Sequence, residues 1–161
     1  MRAACLALLI ALLPVAAAAQ GAAVDLGQHD SSQPIEVTSD ELRLDRSRNT
    51  AMFEGNVVAT QGALTLTSRQ LEVDYGAEGT GGSSIRMVTA IGDVVMVNGE
   101  DVAQSRRAVY TVGDSLIVMT EDVIVIQGET VLTSDQLTYD LASGEGLMEG
   151  RVTTLLVPEE E

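Results

Sequence analysis

Two short stretches of this chain carry residue types that could do chemistry. Gly113-Asp114-Ser115-Leu116 spells a four-residue hydrolase signature, in which the serine attacks and a histidine further along the chain takes its proton. The single histidine, His29, lies upstream instead, so the general base is missing and the four residues read as a turn between Tyr110-Thr111-Val112 and Ile117-Val118-Met119. His29 with Asp30 could touch a metal, but one histidine beside a lone Cys5 cannot build a zinc or copper site. Aspartates at turns lack the Gly-rich nonapeptide spacing of calcium-binding β-helices, and no phosphate loop or dinucleotide fingerprint is present. The expectation is therefore no catalytic residue, no metal and no cofactor. A binding or structural role is what remains, and it must be built by the elements of the chain as a whole.

The 161 residues suit one domain, and 45% hydrophobic residues suffice for a core. There is one Phe, three Tyr and no Trp, so the interior must be Val, Leu, Ile, Met and Ala. The net charge of -15, with no lysine at all, argues against nucleic acid as a partner. Arg2, the apolar run Ala3 to Val15 and the small residues Ala16 to Ala19 have the form of an export signal, residues 1–19. Ala17-Ala18-Ala19 fits the cleavage rule, so the exported chain is expected to begin at Gln20; retention as a membrane anchor is the alternative. Residues 20–33 read as a flexible lead-in, 34–158 as the folded domain, and 159–161 as an acidic tail.

From Ile35 onward the chain is an internal repeat of strands and turns. Thr38-Ser39, Thr67-Ser68, Gln104-Ser105 and Thr133-Ser134 align, each followed by an apolar alternation such as Leu42 and Leu44 or Leu71 and Val73. A second half-motif, Gly55-Asn56-Val57, Gly92-Asp93-Val94, Glu121-Asp122-Val123 and Gly150-Arg151-Val152, reads as a turn dipeptide feeding a β-branched strand. Gly62, Gly99 and Gly128 follow seven residues after the first three of these. Sixteen residues separate the serine from the half-motif in units one, three and four, and eight more lie in the Gly/Ser-rich stretch Gly76 to Ser84 of unit two.

A unit of this size cannot bury its apolar face alone, so neighbours must stack into an all-β, elongated antiparallel structure with two open ends. A core of branched aliphatics without large rings leaves a slot suited to hydrocarbon chains. Strand alternation and repeat register nominate Ile35, Val37, Leu44, Leu66, Val73, Val95, Val97, Ile124 and Ile126 to line it. The last strand, including Thr153, Thr154, Leu155, Leu156 and Val157, is uncharged and β-favouring until Pro158. It and the first strand, Ile35 to Thr38, are nominated as edges open to strand addition.

Gln33-Pro34-Ile35-Glu36-Val37-Thr38-Ser39-Asp40, Phe53-Glu54-Gly55-Asn56-Val57-Val58-Ala59-Thr60-Gln61-Gly62 and Arg151-Val152-Thr153-Thr154-Leu155-Leu156-Val157-Pro158 resemble the OstA-like family over about residues 33–158. The resemblance implies a twisted β-jellyroll, open at both ends, that holds lipopolysaccharide by its acyl chains and carries it through the periplasm from the inner to the outer membrane. It also implies head-to-tail self-association and two partners that share the fold, the inner-membrane lipopolysaccharide-transport protein C and the outer-membrane protein D. The missing lysines and the closing Glu159-Glu160-Glu161 depart from the family's pattern and weigh against ionic head-group contacts. The alternative function is a structural β-solenoid, a scaffold or adhesin element of the cell envelope without a lipid ligand.

Overall fold

The computed structural model describes residues 22–27, 29–30, 32–76 and 84–155. Three short strands come first: β1 (Ala22–Asp25), β2 (Glu36–Thr38) and β3 (Glu41–Asp45). Six long ones follow: β4 (Thr50–Gln61), β5 (Leu64–Tyr75), β6 (Ile85–Asn98), β7 (Asp101–Thr111), β8 (Leu116–Gln127) and β9 (Thr130–Asp140). β10 (Glu145–Glu149) and β11 (Thr153–Leu155) complete a single antiparallel sheet, ordered β1-β10-β9-β8-β7-β6-β5-β4-β2. β3 also pairs with β4, and β11 with β9. The expected antiparallel, open-ended roll of repeated hairpins is thus the observed fold. The lead-in is part of it, because β1 adds to β10 and Leu26 is only 1% exposed.

The repeat serves a purpose that its sequence hid. The dipeptides Gly55-Asn56, Gly92-Asp93 and Glu121-Asp122 lie in the middle of β4, β6 and β8 and do not reverse the chain. Every residue in them has positive φ: 77° and 45°, 79° and 48°, 69° and 57°. The ladders slip register there, between Glu54 and Val57, Ile91 and Val94, and Thr120 and Val123. Such bulges bend a strand, and repeated at one level on successive hairpins they fold the whole sheet along a line into two leaves. The chain reversals come instead at Gly62, Gly99 and Gly128, each opening a two-residue hairpin loop with φ of 57°, 62° and 56°.

The repeated serines are fixed by the same bend. Ser39, Ser68, Ser105 and Ser134 each donate from Oγ to the carbonyl two residues on, all at 2.9 Å. Three of them are buried, and a buried hydroxyl needs such a partner. Across the fold line the next residue meets the second residue of a half-motif: Asp40 with Asn56 (2.8 Å), Arg69 with Asp93 (2.9 Å), Arg106 with Asp122 (2.7 Å) and, charges exchanged, Asp135 with Arg151 (2.5 Å). The Arg151 guanidinium holds the Asp135 carboxyl below the usual carboxylate range.

Unit three alone places a glutamate where the others have glycine, at φ 69°. A side chain in this region costs roughly 1 kcal/mol or more, partly offset by the extra unfolded-state freedom of glycine. Glu121→Gly should therefore raise stability by about 0.5 kcal/mol in urea denaturation. A loss of stability would show that Glu121 is not strained.

Candidate functional site

The inner face of the folded sheet is the candidate site. Directly paired residues point to one side of a sheet, so the registers trace continuous inner rows. One runs Leu42, Phe53, Leu71, Ala90, Ala108, Met119, Leu137, Met148, Ala22. The next runs Leu44, Ala51, Val73, Val88, Tyr110, Ile117, Tyr139, Gly146, Val24. On the other leaf a third runs Val37, Ala59, Leu66, Met96, Ala103, Val125, Leu132, Thr154. Ile35, Ala59, Leu64 and Leu66 face Val88, Ala90, Ala108 and Tyr110 across a slot that holds about 40 Å³ of free space. A cavity needs roughly 10–15 Å³ by this measure to hold one water, so the slot has room for only a few waters and the leaves stand nearly closed.

Of the nominated slot residues, Ile35, Val37, Leu44, Leu66 and Val73 lie on this inner face. Val95, Val97, Ile124 and Ile126 do not. Their neighbours Met96 and Val125 are the buried ones, and alternation turns the four nominated residues to the outer face. Val94-Val95-Met96-Val97 and Val123-Ile124-Val125-Ile126 are apolar on both parities, so periodicity alone could not select their inner side. Met96 and Val125 are the inner residues it missed in these two strands, and the signal that finds them is the half-motif valine two residues earlier, Val94 or Val123, whose parity the kink sets.

Both ends of the inner rows are edges of the sheet. At one end β2 and β3 cover separate halves of β4, and Leu42 and Leu44 are 51% and 68% exposed although they continue buried rows. At the other end β11, with Thr153, Thr154 and Leu155, forms the edge of one leaf, while β1 forms the edge of the other. The nominated C-terminal edge is therefore half of a composite edge. Leu156 and Val157 lie outside the described residues, as do the signal segment and the acidic tail.

The hydrolase-like stretch is a single 3-10 turn, Val112–Asp114, that joins β7 to β8. Ser115 closes it with φ 53° and a backbone bond to the Val112 carbonyl. The His29 ring meets Gln61 at 3.2 Å. Beside it Asp30 accepts from Ser32 and Gln33, bonds that lower its pKa to about 2. Six described arginines, at 43, 48, 69, 86, 106 and 151, pair with the chain's own carboxylates. No helix among the described residues is long and apolar enough to cross a membrane.

A folded antiparallel sheet with an apolar interior and two edges that no other described strand pairs defines a class of open-ended β-roll. Residues 36–145 match the family described as LptA/(LptD N-terminal domain) LPS transport protein, and the chain belongs to that family. It is 29% identical over 143 residues to the lipopolysaccharide export system protein LptA of Haemophilus influenzae, covering 81% of each chain. With LptA of Escherichia coli K12 it shares 27% over 144 residues, 81% of this chain and 75% of that one. The fold also matches the crystal structure of LptH, a periplasmic component of the lipopolysaccharide transport device of Pseudomonas aeruginosa. That match has a TM-score of 0.66 at 22% identity and covers 80% of this chain and 99% of the other.

Proposed function

We propose that the protein is a periplasmic carrier that binds lipopolysaccharide by its acyl chains between the two leaves and passes it from the inner to the outer membrane. The observation that carries this reading is the three inner rows traced above, which run from edge to edge of the sheet without a charged residue and are apolar up to Thr154. Each methylene transferred from water to such a surface contributes about 0.8 kcal/mol, so acyl chains need no ionic recognition. The pairing of arginines with the chain's own carboxylates on the outside agrees with that.

The composite edges support assembly into a bridge. In a head-to-tail stack, β3 of one copy would add to β1 of the next, and β2 to β11. Leu42 and Leu44 would then continue the rows that end in Ala22 and Val24, and Val37 the row that ends in Thr154. The inner-membrane protein C and the outer-membrane protein D would present matching edges at the two ends of the bridge.

The test is capture of lipopolysaccharide by the purified protein, with mass spectrometry of co-purifying lipid. Ala108→Phe fills the slot opposite Leu64 and Leu66. It should reduce capture by about tenfold or more at a stability cost of about 1–3 kcal/mol. Full capture by a folded Ala108→Phe variant, or lipid-free protein from cells that make lipopolysaccharide, would favour a structural solenoid.

A further inference from the structure

The slot is nearly closed, so a ligand needs a line along which the leaves can part. The sheet is continuous across its fold line, and that side cannot open without breaking ladders. The other side is a seam, where the rims of the two leaves meet.

One rim carries the hairpin ends Gln61-Gly62, Asn98-Gly99 and Gln127-Gly128. In all three units an amide side chain directly precedes the hairpin glycine. All three amides reach across to the N-terminal segment. Asn98 Nδ2 donates to the Leu26 carbonyl at 2.7 Å and to the Tyr139 hydroxyl at 3.3 Å. Gln127 Nε2 donates to the Asp25 carbonyl. Gln61 Oε1 meets His29 Nε2 at 3.2 Å.

The N-terminal segment is held to the opposite leaf by backbone. β1 pairs with β10, the Leu26 N–H donates to the Gly144 carbonyl and the His29 N–H to the Leu141 carbonyl, both at 2.9 Å. The hydroxyl of Tyr139, on that same leaf, lies 2.5 Å from the Gly27 carbonyl, to which it donates, and 3.1 Å from the Leu26 carbonyl. Burial pushes the Tyr139 phenol up. The two sides of the seam are thus unequal. Backbone ladders fasten the N-terminal segment to one rim, whereas side-chain amides at one repeat position fasten it to the other.

We propose that Gln61, Asn98 and Gln127 form a row of amide clasps, and that the protein loads its ligand sideways by parting this row while β1, Leu26 and His29 stay with their own leaf. The ligand's identity rests on the carrier reading above; the clasp does not. Amides fit such a clasp because they carry no charge into the rim of an apolar slot, and each bond is lost at modest cost once water replaces it. Sideways loading also leaves the strand edges at both ends free for neighbouring copies.

Two experiments test this on the full chain carrying Cys5→Ser. In the first, Asn98→Asp with Gln127→Glu removes the donors and keeps the shapes. Hydrogen exchange at Ala22 to Gly27 should accelerate about tenfold or more, while Ile117 and Met119 keep their protection. Asn98→Ala with Gln127→Ala should do the same, and circular dichroism reports that each variant is folded. Unchanged exchange in both would overturn the clasp, whatever the ligand.

In the second, His29→Cys with Gln61→Cys is bridged by a short bismaleimide. Uptake of fluorescent lipopolysaccharide should slow at least about tenfold on bridging. Equal uptake before and after bridging would overturn sideways loading. Faster exchange at Ala22 to Gly27 in a protein that takes up no lipopolysaccharide even unbridged would leave the clasp standing and overturn both the carrier reading and this loading route.

Discussion

Gly92→Val should destabilise the protein by about 3 kcal/mol, measured as a lower urea midpoint with an unchanged slope. Gly92 has φ 79°, where a β-branched residue is a severe outlier. A Cβ there would come 2.8 Å from Arg69 Nε, the group that pairs with Asp93. β6 lies in the middle of the sheet between β5 and β7, so the strain cannot be released by fraying an edge. The kink must then flatten or the hairpin must lose its register, and either change separates the leaves. A loss below about 1 kcal/mol would mean that the kink residues do not govern the fold.

Leu44→Asp should have the opposite profile, a large effect on assembly and almost none on the single copy. Leu44 is 68% exposed, and substitution at such a site usually changes stability by less than about 0.5 kcal/mol. In a head-to-tail joint the same position becomes inner and buried against the next copy. There an unpaired carboxylate costs several kcal/mol, and self-association should fall by roughly a hundredfold or more in light scattering or sedimentation. Intact assembly by Leu44→Asp would remove β3 from the joint.

The sequence made the architecture legible because it repeats. Serine, apolar alternation and half-motif recur with one spacing, and that regularity alone required stacked antiparallel hairpins. The inner face could be read wherever a strand alternates, as in Leu64 and Leu66 or Leu71 and Val73. It could not be read in β6 and β8, where valine and isoleucine occupy both parities. The half-motif was legible as a turn dipeptide but not as a kink within a strand, since Gly-Asn and Gly-Asp serve a hairpin turn equally well. β1 was hidden in an Ala- and Gly-rich lead-in, because its four residues are a strand only by virtue of β10 beside them. The amides before Gly62, Gly99 and Gly128 were visible in the alignment of the repeats, but their role depends on a rim that only the folded sheet creates.

Lipid held on the inner face can be touched only by side chains that point inward. Photo-reactive residues placed in turn at Leu66, Met96 and Val125, and at Val95, Ile124 and Glu72, test this directly in cells that make lipopolysaccharide. The first three are inner positions and should crosslink lipopolysaccharide; the second three are outer and should not. Equal yields from the two sets, or crosslinks confined to Val95 and Ile124, would show that lipid is not held on the inner face.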